Sequence, residues 1–445
     1  MTTAVSPTPS PFPAAPPGPA GTGVYRAEAA APLPHWPLTL MVAAYPVWFV
    51  LGLSGFMWVA LAFPMAGALL RRRGLVAPRG IAWWALFLAA VLASVVSIDS
   101  VSRMAGYVLR LGYYASATVF LLYLLNGGDG VSVRRIVRAF NLLWVFAIVG
   151  GYLALVVGAY TFRSPMWYLL PKPLLDNDLI HTLVTPGFAD VQDIIGFPVP
   201  RPKAPFAYTN SWGSMVALTT PFALAAMANP RIGLSPRLLR WVLVAAVVPM
   251  VISLNRGLWL SLGLGLVYGA VRLGLGGHRR LFVRLVVSGA VLAAVLVLSP
   301  LGGLITSRVE TGHSDHDREG LAMAAIHGAM ERPLFGWGAP RPNVRDLPSI
   351  GTHGQIWLVT FSHGFVGGAG FVAALVSFLW WTRRQVTTTG LWAHVVVLVG
   401  IIQLPFYLMI PNALFAVMAG VAVALRCQRE PVDGEPAAPV PPETA

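Results

Sequence analysis

This sequence predicts an all-α polytopic membrane protein of about twelve transmembrane helices with two long extracytoplasmic loops, the second partly helical. Three observations predict it. The chain is 56% hydrophobic and only 11% charged over 445 residues, with a mean hydropathy of +0.69. A water-soluble core of this length needs far more charged surface. Apolar runs follow one another from residue 38 to residue 427, and the basic residues fall in short clusters between them.

A spanning helix takes roughly 20 apolar residues. Twelve segments fit that need: 38–53, 55–70, 80–97, 105–126, 136–160, 211–228, 238–254, 257–275, 281–300, 356–381, 391–408 and 411–427. The first two are short and joined only by Ser54, so one long tilted helix is the alternative there. That alternative would reverse the sidedness of everything downstream.

Arginine placement decides between the two. Basic residues near span ends favour the cytoplasmic side. With two early spans, Arg71, Arg72, Arg73 and Arg79 share one side with Arg134, Arg135, Arg138, Arg231, Arg237, Arg240, Arg272, Arg279, Arg280, Arg284, Arg383, Arg384, Arg426 and Arg429. Every short basic loop then lies inside, and both termini are cytoplasmic. The formal charge of +14 follows largely from this distribution. Charge spread over short loops between spans does not build a nucleic-acid footprint, so no nucleic-acid partner is expected.

Residues 1–37 are rich in Pro and Ala and nearly uncharged, which predicts a disordered cytoplasmic tail. They lack a charged region leading into a short apolar stretch, so a cleaved signal peptide is not expected. Residues 428–445 read as a second disordered tail, leaving 38–427 as the membrane-embedded domain. The single cysteine, Cys427, provides no disulfide framework and no cysteine-based metal site.

Three segments face outward in this topology. Two are long loops, 161–210 and 301–355. Together they hold Asp176, Asp178, Asp190, Asp193, Glu310, Asp315, Asp317, Glu319, Glu331 and Asp346, ten of the seventeen acidic residues. Loops beyond about 12–15 residues are usually functional or disordered. These carry aromatic and apolar residues too, so they are expected to fold back onto the membrane surface. Residues 316–332 fit an amphipathic helix, with Leu321, Ala324, Ala325 and Ile326 near its buried side. The third outward segment is the tight turn Ser253-Leu254-Asn255-Arg256-Gly257.

Arg256 is the sharpest single residue. A charge pressed against apolar spans is costly unless it snorkels to the headgroups or binds a ligand, and both readings stand from the sequence. Gly257 beside it allows close backbone approach. Arg201 and Lys203, just before the sixth span, break the positive-inside pattern. Alone they are ordinary loop charges; beside Arg256 they make a cationic pocket, and an Arg fork matches phosphate oxygens. His353 stands at the mouth of the tenth span, where an imidazole serves as a base near neutral pH or simply as a surface residue. His363, deeper in that span, fits a packing or hydrogen-bonding role. Arg110 is the main charged residue inside a span. The run His313-Ser314-Asp315-His316-Asp317 contains metal-ligand types without a recognised spacing and reads best as a solvated charge run. No Gly-rich phosphate loop, G-x-S-x-G elbow or H-E-x-x-H helix occurs, so nucleotide-driven chemistry has no support.

This pattern resembles the bacterial O-antigen ligase and O-antigen polymerase superfamily. Arg201, Phe206 and Asn210 fit its segment of Arg, Phe and Asn before a span, with Ala204 where Gly is usual and Thr209 where Pro is usual. Asn255-Arg256-Gly257 fits its Ser-Arg-Gly turn. Arg318, Pro333, Leu334, Gly336 and Gly338 fit its long outer loop. His353 fits its span-opening His, with Gly354 in place of Asn, and Gly364, Gly367 and Gly368 fit the Gly-rich step. The resemblance implies a metal-independent, inverting glycosyltransferase without cofactors. The donor would be a glycan on a polyprenyl diphosphate, the acceptor another glycan, lipid or envelope component, and membrane lipids the surroundings. It implies catalytic roles for His353, Arg256 and Arg201, and substrate binding by Lys203, Asn210, Arg318, Arg341 and Arg345. A polysaccharide or lipid transporter or flippase is the rival, since twelve spans are common there. Such proteins show internal repeats and deep ionisable pairs, and no clear repeat is present here.

Overall fold

The computed structural model describes residues 32–176, 178–193, 198–298, 303, 306, 313–341 and 349–429. Both tails, and with them most of 1–37 and 428–445, lie outside that range.

The chain is mostly helical. It opens with α1 (Trp36–Leu38), a π-helical turn (Thr39–Ala43), α2 (Tyr45–Leu51), α3 (Met57–Ala60) and α4 (Ala62–Leu70). The two short early segments are therefore broken into pieces, and no continuous helix runs across them. Gly52 takes a left-handed φ of 75° and ends α2. Apolar composition alone does not set where a helix stops; Gly at C′ does. α5 (Ile81–Ala93) passes into a 3-10 turn, Ser94–Ser97, and is followed by α6 (Val101–Leu125) and α7 (Val133–Val157). Ser100 and Ser132 cap α6 and α7 by accepting from the backbone N–H of Arg103 and Arg135.

The first long loop carries α8 (Pro165–Leu169), α9 (Lys172–Leu175), α10 (Asp178–Val184) and an antiparallel hairpin, β1 (Ala189–Asp193) with β2 (Pro198–Pro202). This small sheet is an addition to a mostly helical chain that is consistent with the all-α expectation. Three prolines in β2 conceal it, because Pro reads as a strand breaker and survives only at edges. Then come α11 (Thr209–Ala228), α12 (Pro236–Ile252), α13 (Arg256–Leu275), α14 (Arg279–Leu298), α15 (His313–Glu331), α16 (Gln355–Thr382), α17 (Thr388–Gln403) and α18 (Asn412–Arg429). Among the described residues, four helices are long and apolar enough to cross a membrane: α6, α7, α13 and α16. α17 is a shorter apolar helix that stops at Gln403, before the expected end at 408.

α18 is buried from Asn412 through Val423 on every side and lies among α6, α11 and α17. A helix apolar all round belongs at the centre of a bundle. Its first residue is tied to the early helices: Asn412 Oδ1 accepts from Tyr45 Oη and Trp58 Nε1, both at 2.8 Å. α16 packs along α5, and α11 along α7 and α17. By contrast, α14 leaves Val283, Val286, Val287, Val291, Val295 and Leu298 exposed. Such an apolar face is unfavourable in water and suits lipid.

α16 is broken inside. His363 (φ −126°, ψ 15°) and Gly364 (φ 70°) leave helical geometry, so nearby backbone groups lose their intrahelical partners. Segment 333–338 fills the break. Trp337 N–H donates to Phe361 O at 3.0 Å, Gly338 N–H to Ser362 O at 2.7 Å, and Phe365 N–H to Pro333 O at 2.8 Å. Gly336 and Gly338 have φ of 59° and 72°, and a Cβ on Gly336 would stand 2.5 Å from Gly364 N. The Gly-x-Gly pattern therefore has a packing reason: backbone lies directly on backbone.

Candidate functional site

The turn before α13 is the hub of the site. Leu254 takes φ 51°, and Asn255 is the residue that precedes the helix. Asn255 is 3% exposed; its Nδ2 donates to Thr209 O at 3.1 Å, and its Oδ1 accepts from Tyr407 Oη. Gly213 and Gly257 make this possible, because a Cβ on either would collide with the Asn255 side chain or the Tyr407 hydroxyl. Arg201 reaches the same turn from β2. Its Nε donates to Ser253 O at 2.7 Å and its Nη1 to Gln192 Oε1 at 2.5 Å. Arg201 is 7% exposed. It is thus not the solvated loop charge that was one reading of the sequence, but a buried strut that fixes the turn carrying half-buried Arg256.

His353 joins through α16. Gln355 N–H donates to Tyr407 O at 2.8 Å and Ile356 N–H to Leu404 O at 3.2 Å, so the 403–409 turn satisfies the first N–H groups of α16. Gln355 Oε1 accepts from Met409 N–H at 2.9 Å, and its Nε2 donates to Tyr114 Oη at 3.0 Å. The chain of contacts Arg201–Ser253, Asn255–Tyr407 and Tyr407–Gln355 therefore links the Arg201 strand, the Arg256 turn and the His353 segment. Gly354 sits where Pro405 O leaves no room, since a Cβ there would be 2.5 Å away. Thr352 Oγ1 spends its hydrogen on Ser349 O at 2.7 Å and lies 3.5 Å from His353 Nδ1.

The remaining expected residues divide. Asn210 lies in the first turn of α11, and its Oδ1 is buried without a hydrogen-bond partner among the described residues. Lys203 is 8% exposed and bridges Asp190 at 2.7 Å, so its charge is met by the protein. It also borders a cavity of about 480 Å³ with Arg163, Trp167 and His181. Arg341 pairs with Asp99, which also holds Arg103, and stacks on Trp337 at 3.8 Å. Arg103 Nη2 donates to the carbonyls of Trp337 and Ala339. This cluster fastens the 337–341 segment to the start of α6. The Arg103 contact helps hold the Asp99 carboxyl below the usual carboxylate range. Arg318 lies on α15, but its side chain, like those of His313 and His316, is outside the described residues, and so is Arg345. Leu321, Ala325 and Ala329 form the buried stripe of α15, with Ala324 and Ile326 half-buried beside it. No group of metal-ligand side chains occurs among the described residues.

Sequence reasoning missed Tyr407. The available signal was a Tyr in the Pro-flanked turn between the last two apolar segments, on the same side as His353. No protein-family model matches this chain, and no curated protein or solved structure does either.

Proposed function

We propose that this protein is a surface-polysaccharide ligase or polymerase of the cytoplasmic membrane. It would transfer a glycan from a polyprenyl-diphosphate carrier to an acceptor hydroxyl on the extracytoplasmic side. The proposal includes twelve spans, with both termini inside and the Arg256 turn outside. The single observation that supports it best is the linkage through Tyr407 of two cation-bearing segments to a histidine-bearing segment.

In this reading the donor's lipid tail lies between helices and its diphosphate against Arg256, whose turn Arg201 holds. An acceptor hydroxyl gives its proton to the His353 imidazole and forms a C–O bond at the anomeric carbon. The bond from that carbon to the diphosphate oxygen breaks, and the diphosphate leaves with the electron pair. Arg256 stabilises the charge that grows there. The donor bond is already activated, so the chemistry needs no nucleotide. Asn210 Oδ1, a buried acceptor, suits a sugar or acceptor hydroxyl.

The break in α16 favours a second reading, transport, because broken helices line transporter sites. Against it, the break is filled by the chain's own 333–338 segment and its backbone groups are satisfied there. The discriminating experiment is transfer by purified protein in lipid, with lipid-linked donor from the native host. Transfer that persists with chelator and is lost in Arg256→Ala and His353→Ala supports the transferase. Donor that changes leaflets without transfer supports the transporter.

A further inference from the structure

Arg110 stands at the tenth position of α6, about 13 Å along the helix from its first residue at 1.5 Å per residue. An arginine at that depth is costly unless something meets its charge. Among the described residues no hydrogen bond or ion pair is recorded for it, and no carboxylate acts on it electrostatically. Its electrostatic neighbours are the hydroxyls of Tyr113, Tyr114 and Tyr208. The residue as a whole keeps only partial exposure, while its guanidinium lies buried inside the protein. It runs back towards the start of α6: Nη1 lies 2.8 Å from where a Cβ on Gly106 would stand. Gly106 thus leaves room for the guanidinium.

His363 provides the second, independent observation. It is 1% exposed, and it interacts electrostatically with Arg110. Its Nδ1 is 2.8 Å from Ser94 Oγ, whose own hydrogen goes to Val91 O at 2.6 Å. Nδ1 is therefore the donor, and Nε2 is left as a buried atom without a hydrogen-bond partner among the described residues. The His363 ring meets Tyr114 edge-on, with centroids 6.2 Å apart. Tyr114 in turn accepts from Gln355, two residues after His353. These contacts thus join a cation without an ion-pair partner among the described residues, tyrosine hydroxyls and rings, and an imidazole acceptor to the site already described.

We infer that Arg110 is the inner anion anchor of this site, binding a phosphate or carboxylate oxygen of the lipid-linked substrate between α6, α11 and α16. The inference rests on the glycosyl-transfer reading and adds the residue that holds the substrate's deepest charge. The anion has two sources, the diphosphate of the carrier and an acidic sugar of the glycan. Both present oxygens that an Arg fork accepts.

The test uses full-length protein in nanodiscs, with farnesyl diphosphate, farnesol and an oligoglucuronate as probes. Binding is measured for wild type, Arg110→Ala, Arg110→Lys, Gly106→Ala and Arg256→Ala, each first checked for a wild-type unfolding midpoint. Arg110→Ala is expected to weaken farnesyl diphosphate at least tenfold and leave farnesol unchanged, with partial recovery in Arg110→Lys. Gly106→Ala, which keeps the charge but displaces it, is expected to weaken binding in the same direction. Loss of oligoglucuronate binding alone also supports the anchor and assigns the anion to the sugar. Unchanged binding of both probes in Arg110→Ala, with Arg256→Ala weakened, overturns the anchor and leaves the transferase reading standing. Wild type that binds neither probe overturns both.

Discussion

Gly336→Ala is expected to be among the most destabilising small substitutions in this protein. Alanine in the left-handed region costs about 1–2 kcal/mol. The new Cβ would stand 2.5 Å from Gly364 N and 2.6 Å from both His363 N and Phe361 O. All three are backbone atoms, so no flexible side chain yields. The 333–338 segment must withdraw, which loosens the bonds from Trp337 N–H to Phe361 O and from Gly338 N–H to Ser362 O. A buried polar group left unmet costs about 1–3 kcal/mol, so the total is about 3–8 kcal/mol. Gly67→Ala is the control, because nothing lies within 4 Å of its Cβ and Ala is favoured over Gly in a helix by about 1 kcal/mol. Thermal unfolding of the purified protein in detergent measures both. A Gly336→Ala midpoint equal to wild type would refute the reasoning that this segment plugs the α16 break.

Tyr407→Phe removes only the hydroxyl that Asn255 Oδ1 accepts from; it should cost about 1–3 kcal/mol of stability and lower transfer without weakening expression, read by unfolding and by transfer assay. Arg201→Lys should not rescue Arg201→Ala, because a single ammonium does not reproduce the Nε and Nη1 bonds to Ser253 and Gln192; both variants should lose roughly tenfold or more in transfer rate, and full activity in Arg201→Lys would count against the strut. Asp99→Asn tests the cluster on α6. Arg103 lowers the folded-state pKa of Asp99, so its stabilisation is present above the ordinary carboxylate pKa of about 3.9 and is lost as pH falls through the lowered value. Wild type should therefore exceed Asp99→Asn modestly at neutral pH, and the two unfolding midpoints should converge as pH falls through the lowered value.

Helix positions from 105 onward were legible because long apolar runs between arginine clusters leave little choice of where a helix begins. Residues 38–70 were not, since uniform apolarity hides the break that Gly52 makes. The β1–β2 hairpin was hidden by prolines, although it is what buries Arg201 and pairs Lys203 with Asp190. At the site, the residue types of Arg201, Arg256 and His353 were readable in sequence order. Their link was not, because Tyr407 and Asn255 are 152 positions apart and no local pattern reports such a bond. The buried environment of Arg110 and His363 was equally invisible. Each looks like an isolated polar residue in an apolar run until α6 and α16 are packed together.

The most direct test of the central claim is release of free polyprenyl diphosphate. Wild-type protein in proteoliposomes would be given lipid-linked donor and acceptor in the presence of chelator, and products followed by mass spectrometry. The account predicts free diphosphate carrier and glycosylated acceptor in equal amounts, with neither formed by His353→Ala. Intact donor appearing in the opposite leaflet, with no free carrier released, would contradict it.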